Sequence, residues 1–127
     1  MIQFVLVFLG GGIGAACRHG VNLLVARLAG TGFPWGTFVI NVTGSTLMGL
    51  IAAWLAFRAD YNWSQHARLF ATTGILGGYT TFSAFSLDVA LLWERGAPAQ
   101  AAAYVAGSVG LSVLGLFAGL WLVRTLT

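Results

Sequence analysis

Thr37, Asn41 and Ser45 recur at four-residue intervals in an otherwise apolar run, and Tyr104, Ser108 and Ser112 repeat the pattern further along. On an α-helix each trio stacks on one face. All six groups can donate a hydrogen bond and none carries a negative charge, so such faces would line a path suited to an anion. The competing role is ordinary: an amide and hydroxyls buried at membrane depth bond a neighbouring helix or their own backbone. Spacing leaves both roles open.

The most unusual stretch is Gly74-Ile-Leu-Gly-Gly-Tyr-Thr-Thr-Phe-Ser-Ala-Phe-Ser86. Gly77 and Gly78, followed by Thr80 and Thr81, make a poor helix interior, and a break is expected there. At membrane depth a non-helical backbone must be buried in protein or face a cavity. Carbonyls freed by unwinding can coordinate a cation; the alternative is a kink relieved by the threonine and serine side chains. Phe82 and Phe85 follow, three residues apart and so expected on one face, with Ser83 and Ser86 interleaved. A phenyl ring has a positive edge, so two rings can help replace water around a small anion, or can simply fill a core. Arg18, about two thirds along the first apolar run, is expensive in lipid. It either snorkels to the interface or concentrates anions at a vestibule. His19 reads as an interfacial histidine, and Asp88 is expected to pair with an arginine at a helix end.

The elements that would position these groups follow from composition. The 127 residues are 58% hydrophobic and 7% charged, against roughly 25% charged in a soluble domain. There is no lysine, and Arg18, Arg27, Arg58, Asp60, Arg68, Asp88, Glu94, Arg95 and Arg124 bound four long uncharged stretches. A bilayer core takes about 20 apolar residues as helix. An all-α integral membrane protein of four transmembrane helices is therefore predicted, near 2–27, 35–57, 67–93 and 98–123, forming a single domain over 1–127. Trp35, Trp54, Trp63, Trp93 and Trp121 fall near the ends of these spans, as interfacial aromatics do. The first stretch lacks the basic start of a signal peptide and is read as a mature helix. Cys17 reads as a small packing residue.

Four spans put both termini on one side with Arg58, Arg68 and Arg124, and leave Arg27, Arg95 and in one reading Arg18 opposite. So even a distribution is no positive-inside bias, and predicts insertion in both directions as an antiparallel, dual-topology homodimer. Gly10 with Gly14, Ser45 with Gly49, and Gly115 with Gly119 are small residues four apart. They are expected to point outward to further helices. The formal charge of +3 forms no basic patch, so a nucleic-acid partner is not expected. No carboxylate pair, metal cluster or nucleophile with a neighbouring base is apparent, and Gly10-Gly-Gly-Ile-Gly14 follows no strand as a dinucleotide site requires. The chain does not read as an enzyme.

Gly10-Gly-Gly-Ile-Gly-Ala with Arg18, Gly36-Thr-Phe-Val-Ile-Asn41 with Gly44 and Gly49, and above all Gly77-Gly-Tyr-Thr-Thr-Phe-Ser-Ala-Phe-Ser86 resemble the Fluc (CrcB-type) fluoride channel family over essentially the whole chain. The resemblance implies an antiparallel homodimer in the cell inner membrane with two fluoride pores, passively exporting fluoride that entered as neutral hydrogen fluoride and dissociated inside. It implies a structural sodium ion at the dimer interface, held by the backbone carbonyls of Gly77 and Thr80. Phe82 and Phe85 match the pore rings, Asn41 the pore amide, and Tyr104 and Ser108 polar positions of the fourth helix; Thr81 and Ser83 lie beside the path, and Ser112 extends the polar row where glycine is common. Asp88 stands where relatives often have glutamate. The alternative, a small dual-topology multidrug-type transporter subunit, would carry a buried glutamate where this chain has Arg18.

Overall fold

The computed structural model describes residues 1–58 and 62–127. Four helical spans are long and apolar enough to cross a membrane. The first, α1 (Ile2–Ala29), runs two residues beyond the predicted limit and stops at Gly30, whose φ of 77° is left-handed and whose N–H closes onto the Ala26 carbonyl. A helix tolerates Arg27 in its last turn, where a cation suits the dipole; the glycine ends it, not the charge. The second, α2 (Trp35–Ala56), starts directly after Pro34. The fourth, α6 (Pro98–Leu126), begins with proline at its first position, where a missing N–H costs nothing, and continues three residues past the expected end.

The third span, Ser64–Glu94, is composite. It opens with α3 (Ser64–Arg68), widens into a π-helical stretch (Leu69–Leu76), tightens into one α-turn, α4 (Gly77–Tyr79), and resumes as α5 (Ser83–Glu94). The predicted break is present over Thr80–Phe82: Thr80 has φ −79° and ψ 158°, an extended backbone between two helical pieces. The π-helical stretch was not foreseen. Together with α4 it lies along α1, while the connection between the predicted spans 35–57 and 67–93 lies partly outside the described residues.

Glycines decide how the spans meet. A Cβ on Gly14 would strike the Ile75 carbonyl and one on Gly78 the Gly11 carbonyl, so α1 and the third span touch backbone to backbone. On the other side Gly49 lies against the Leu116 carbonyl and Gly119 against that of Thr46, seating α2 on α6. This corrects the expectation that these small residues face outward: Gly10, Gly14, Gly49, Gly115 and Gly119 are used within the chain. Periodicity reports a small-residue face but not which helix takes it.

The buried interior is small. Phe85, Leu92, Ala101 and Tyr104 form its main cluster, with Phe33, Phe38 and Val89 packed against it. Outside, Phe4, Phe8, Leu24, Leu28, Leu114 and Trp121 are exposed. A water-facing surface would not carry so much apolar area; lipid accommodates it, and the chain is a multi-pass membrane protein.

Candidate functional site

The break is tied to α2 by one side chain. Asn41 donates from Nδ2 to the Thr81 carbonyl at 3.0 Å and accepts the Thr81 N–H on Oδ1 at 2.9 Å, pairing with that residue as a neighbouring strand would. Thr81 in turn accepts the Ala84 N–H on Oγ1 at 3.2 Å and approaches the Ser83 hydroxyl at 3.4 Å, capping the restart of the helix. On the far side Thr80 closes α4, giving both its N–H and its hydroxyl to the Leu76 carbonyl.

These diversions matter for two carbonyls. In an unbroken helix the Thr81 N–H would serve the Gly77 carbonyl and the Ala84 N–H that of Thr80. Here one goes to Asn41 and the other to the Thr81 hydroxyl. The carbonyls of Gly77 and Thr80 thus lose their helical donors, and hard oxygen ligands of this kind suit a cation such as sodium. Among the described residues no cluster of His, Cys, Asp or Glu could hold a metal ion.

Beside the break lies a cleft of about 420 Å³ between α2, the third span and α6. Asn41, Ser45, Thr80, Thr81, Phe82, Phe85, Ser108 and Ser112 all line it, so most of the predicted site residues meet there. Gly44, Met48, Val109, Val113 and Leu116 complete its wall; no signal in the sequence distinguishes the last four from lipid-facing residues. Phe82 and Phe85 have centroids 5.7 Å apart but unlike surroundings: Phe82 is 77% exposed and Phe85 8%. Phe82 sits at the helix restart, outside the regular turns from which a shared face was expected.

Among the described residues, Ser108 and Ser112 differ from several other hydroxyls of the spans. Thr43, Thr46, Thr72, Thr80 and Ser86 each bond the carbonyl four residues back, which satisfies a hydroxyl within its own helix. The Ser108 and Ser112 hydroxyls are buried without a protein partner, Ser108 itself being only 3% exposed. An unpaired buried hydroxyl costs about 1–3 kcal/mol, so two in one cleft point to a polar occupant.

Tyr104 does not line this cleft. It is fully buried behind Phe85, ring centroids 5.1 Å apart, and donates its hydroxyl to Asp88 Oδ2 at 3.0 Å. Asp88 takes this tyrosine in place of the arginine expected for it, and Arg95 bonds the Gly32 carbonyl at 2.7 Å instead. Asp88 and Arg95 line a second cleft of about 370 Å³, with the loop from Gly30 to Pro34 and the first turn of α2 through Thr37. The α2 face of Thr37, Asn41 and Ser45 therefore runs from one cleft to the other, with Phe85 and Tyr104 packed between. Asp88 was legible in principle, since it follows Phe85 by one helical turn. Ser83 is exposed beside Thr81, and Arg18 is half-buried on α1 and lines neither cleft, though Asn22, one turn along, lines the second.

The family described as CrcB-like protein, Camphor Resistance (CrcB), matches residues 5–120. A protein of Rhodopseudomonas palustris (strain BisB5) named fluoride-specific ion channel FluC is 62% identical over 99% of this chain and its own full length. One of Nitrobacter hamburgensis named fluoride-specific ion channel FluC 2 is 63% identical over the same shares. A further relative of that first name, from Hyphomonas neptunium, is 53% identical over 98% of this chain and 97% of its own.

Proposed function

This chain belongs to the family of CrcB-like proteins, and on that premise we propose that it is a fluoride-selective channel, exporting the ion passively across the cell inner membrane. The relatives named as fluoride-specific channels share its full length, and the observation that carries the reading is the pair of unpartnered hydroxyls, Ser108 and Ser112, in the cleft beside the break. Fluoride is strongly hydrated, and a path through the membrane must replace its water with hydrogen-bond donors. Ser108, Ser112 and the second N–H of Asn41 supply them without fixed charge. Phe82 and Phe85 add ring edges that disfavour cations by sign, and few donors spaced for a small ion disfavour chloride. Thr81 lines the path beside the rings with Ser83 next to it, Tyr104 backs Phe85, and Arg18 serves a vestibule. The activity is transport; no reaction is catalysed.

The working unit in this reading is an antiparallel homodimer of oppositely inserted copies, bridged by a structural sodium ion. The near-even arginine distribution and the Gly77 and Thr80 carbonyls deprived of their helical donors support it.

The deciding experiment is ion efflux from liposomes holding the purified protein alone, with fluoride and chloride compared side by side. Rapid fluoride efflux with chloride slower by orders of magnitude is expected. Equal rates would defeat the selectivity, and no flux of either would defeat the channel.

A further inference from the structure

We propose that Asn41 is a positioning residue for the helix break, a splint whose amide stands in for a missing peptide and so keeps the Gly77 carbonyl free. The inference rests on the fluoride-path reading. The carboxamide has one oxygen and two N–H groups. Its oxygen takes the Thr81 N–H and one of its own N–H groups goes to the Thr81 carbonyl, at 2.9 and 3.0 Å. At most one donor is left for an ion in the cleft. Asn41 therefore spends half of its hydrogen-bonding capacity, one donor and one acceptor site, on the protein.

The arrangement acts on both sides of the break. Without an acceptor from α2, the Thr81 N–H would be unpaired in a membrane interior, and the nearest remedy is the Gly77 carbonyl four residues back. Re-forming that bond would extend α4 through the break and occupy the carbonyl. With Asn41 in place Thr81 stays put, its hydroxyl caps Ala84, and α5 begins where Phe82 and Phe85 reach the cleft. One side chain thereby couples the anion cleft to the freed carbonyls. Gly44, one turn further along α2, fits the same purpose: a Cβ there would collide with the Thr80 methyl, so α2 lies flush against the break.

The test uses the full chain with a 13C=18O label at Thr81 or at Gly77, read by infrared spectroscopy. In Asn41→Leu, which keeps the bulk and removes both bonds, the Thr81 band is expected to move to higher wavenumber as its carbonyl loses a donor. The Gly77 band should move lower as it regains one, and fluoride-over-chloride permeability should fall at least tenfold. Asn41→Asp covers the case in which the leucine variant does not fold. The neutral acid keeps both partners, so ionising it, followed by its carboxylate band, should raise the Thr81 band and leave the Gly77 band still. If Asn41 served only as a donor to fluoride, neither label would respond to either change. Unmoved bands overturn the splint, and moved bands with unchanged permeability overturn its link to the path. If the unmodified protein passes no fluoride, the channel reading fails on that result, while the band shifts still decide the splint.

Discussion

A buried hydroxyl with no partner is a stability cost that function must justify, which gives Ser108 a double test. Ser108→Ala removes an unsatisfied group worth about 1–3 kcal/mol, so the thermal unfolding midpoint should stay level or rise while fluoride flux per folded protein falls about tenfold or more. A fall in midpoint with normal flux would mean the hydroxyl is structural after all. The two rings should separate in the same assay. Phe82 is largely exposed, so Phe82→Ile is expected to spare stability and reduce flux. Phe85 packs on Tyr104 at 5.1 Å, and Phe85→Ile should cost about 0.5–1.5 kcal/mol in lost ring contact as well as flux. Normal flux in both would remove the rings from the path.

At the level of the helices, the spans are held by backbone contact that only glycine permits. Gly14→Ala and Gly49→Ala each drive a Cβ onto a carbonyl oxygen, of Ile75 and of Leu116, and overpacking of this kind costs about 1–3 kcal/mol. Gly20, on the same helix as Gly14, has nothing near where its Cβ would lie. Gly20→Ala should therefore stabilise by up to about 1 kcal/mol through helix propensity. Unfolding midpoints in detergent measure all three. A loss at Gly20 equal to that at Gly14 would show that the helix, and not the contact, is what the glycines serve.

For the whole molecule, the exposed apolar surface and the balanced arginines bear on how many copies assemble and which way they face. Because the glycine pairs are consumed inside the chain, they no longer argue for a partner, and the case for the dimer rests on the charge balance and the carbonyls of the break. Mapping tagged termini in native membranes should find both orientations in comparable amounts; a single orientation would rule out the antiparallel pair. Replacing all sodium by a large organic cation should lower the stability of the solubilised dimer, whereas an unchanged midpoint would remove the bridging ion.

Four spans and a broken third helix were legible in the residues because both follow from local chemistry. Charges are costly in lipid, so their positions mark the span limits, and adjacent glycines and threonines are poor helix formers wherever they occur. The polar rows of α2 and α6 were legible for the same reason, since a four-residue spacing defines a face. Which groups meet across those faces was decided only by the tertiary structure. The bonds between Asn41 and Thr81 join residues 40 apart, Tyr104 turned from the cleft to Asp88, and the glycines that promised a partner chain closed on neighbouring helices. Periodicity names the face a residue occupies; its partner depends on helix order and close packing, which no local pattern encodes.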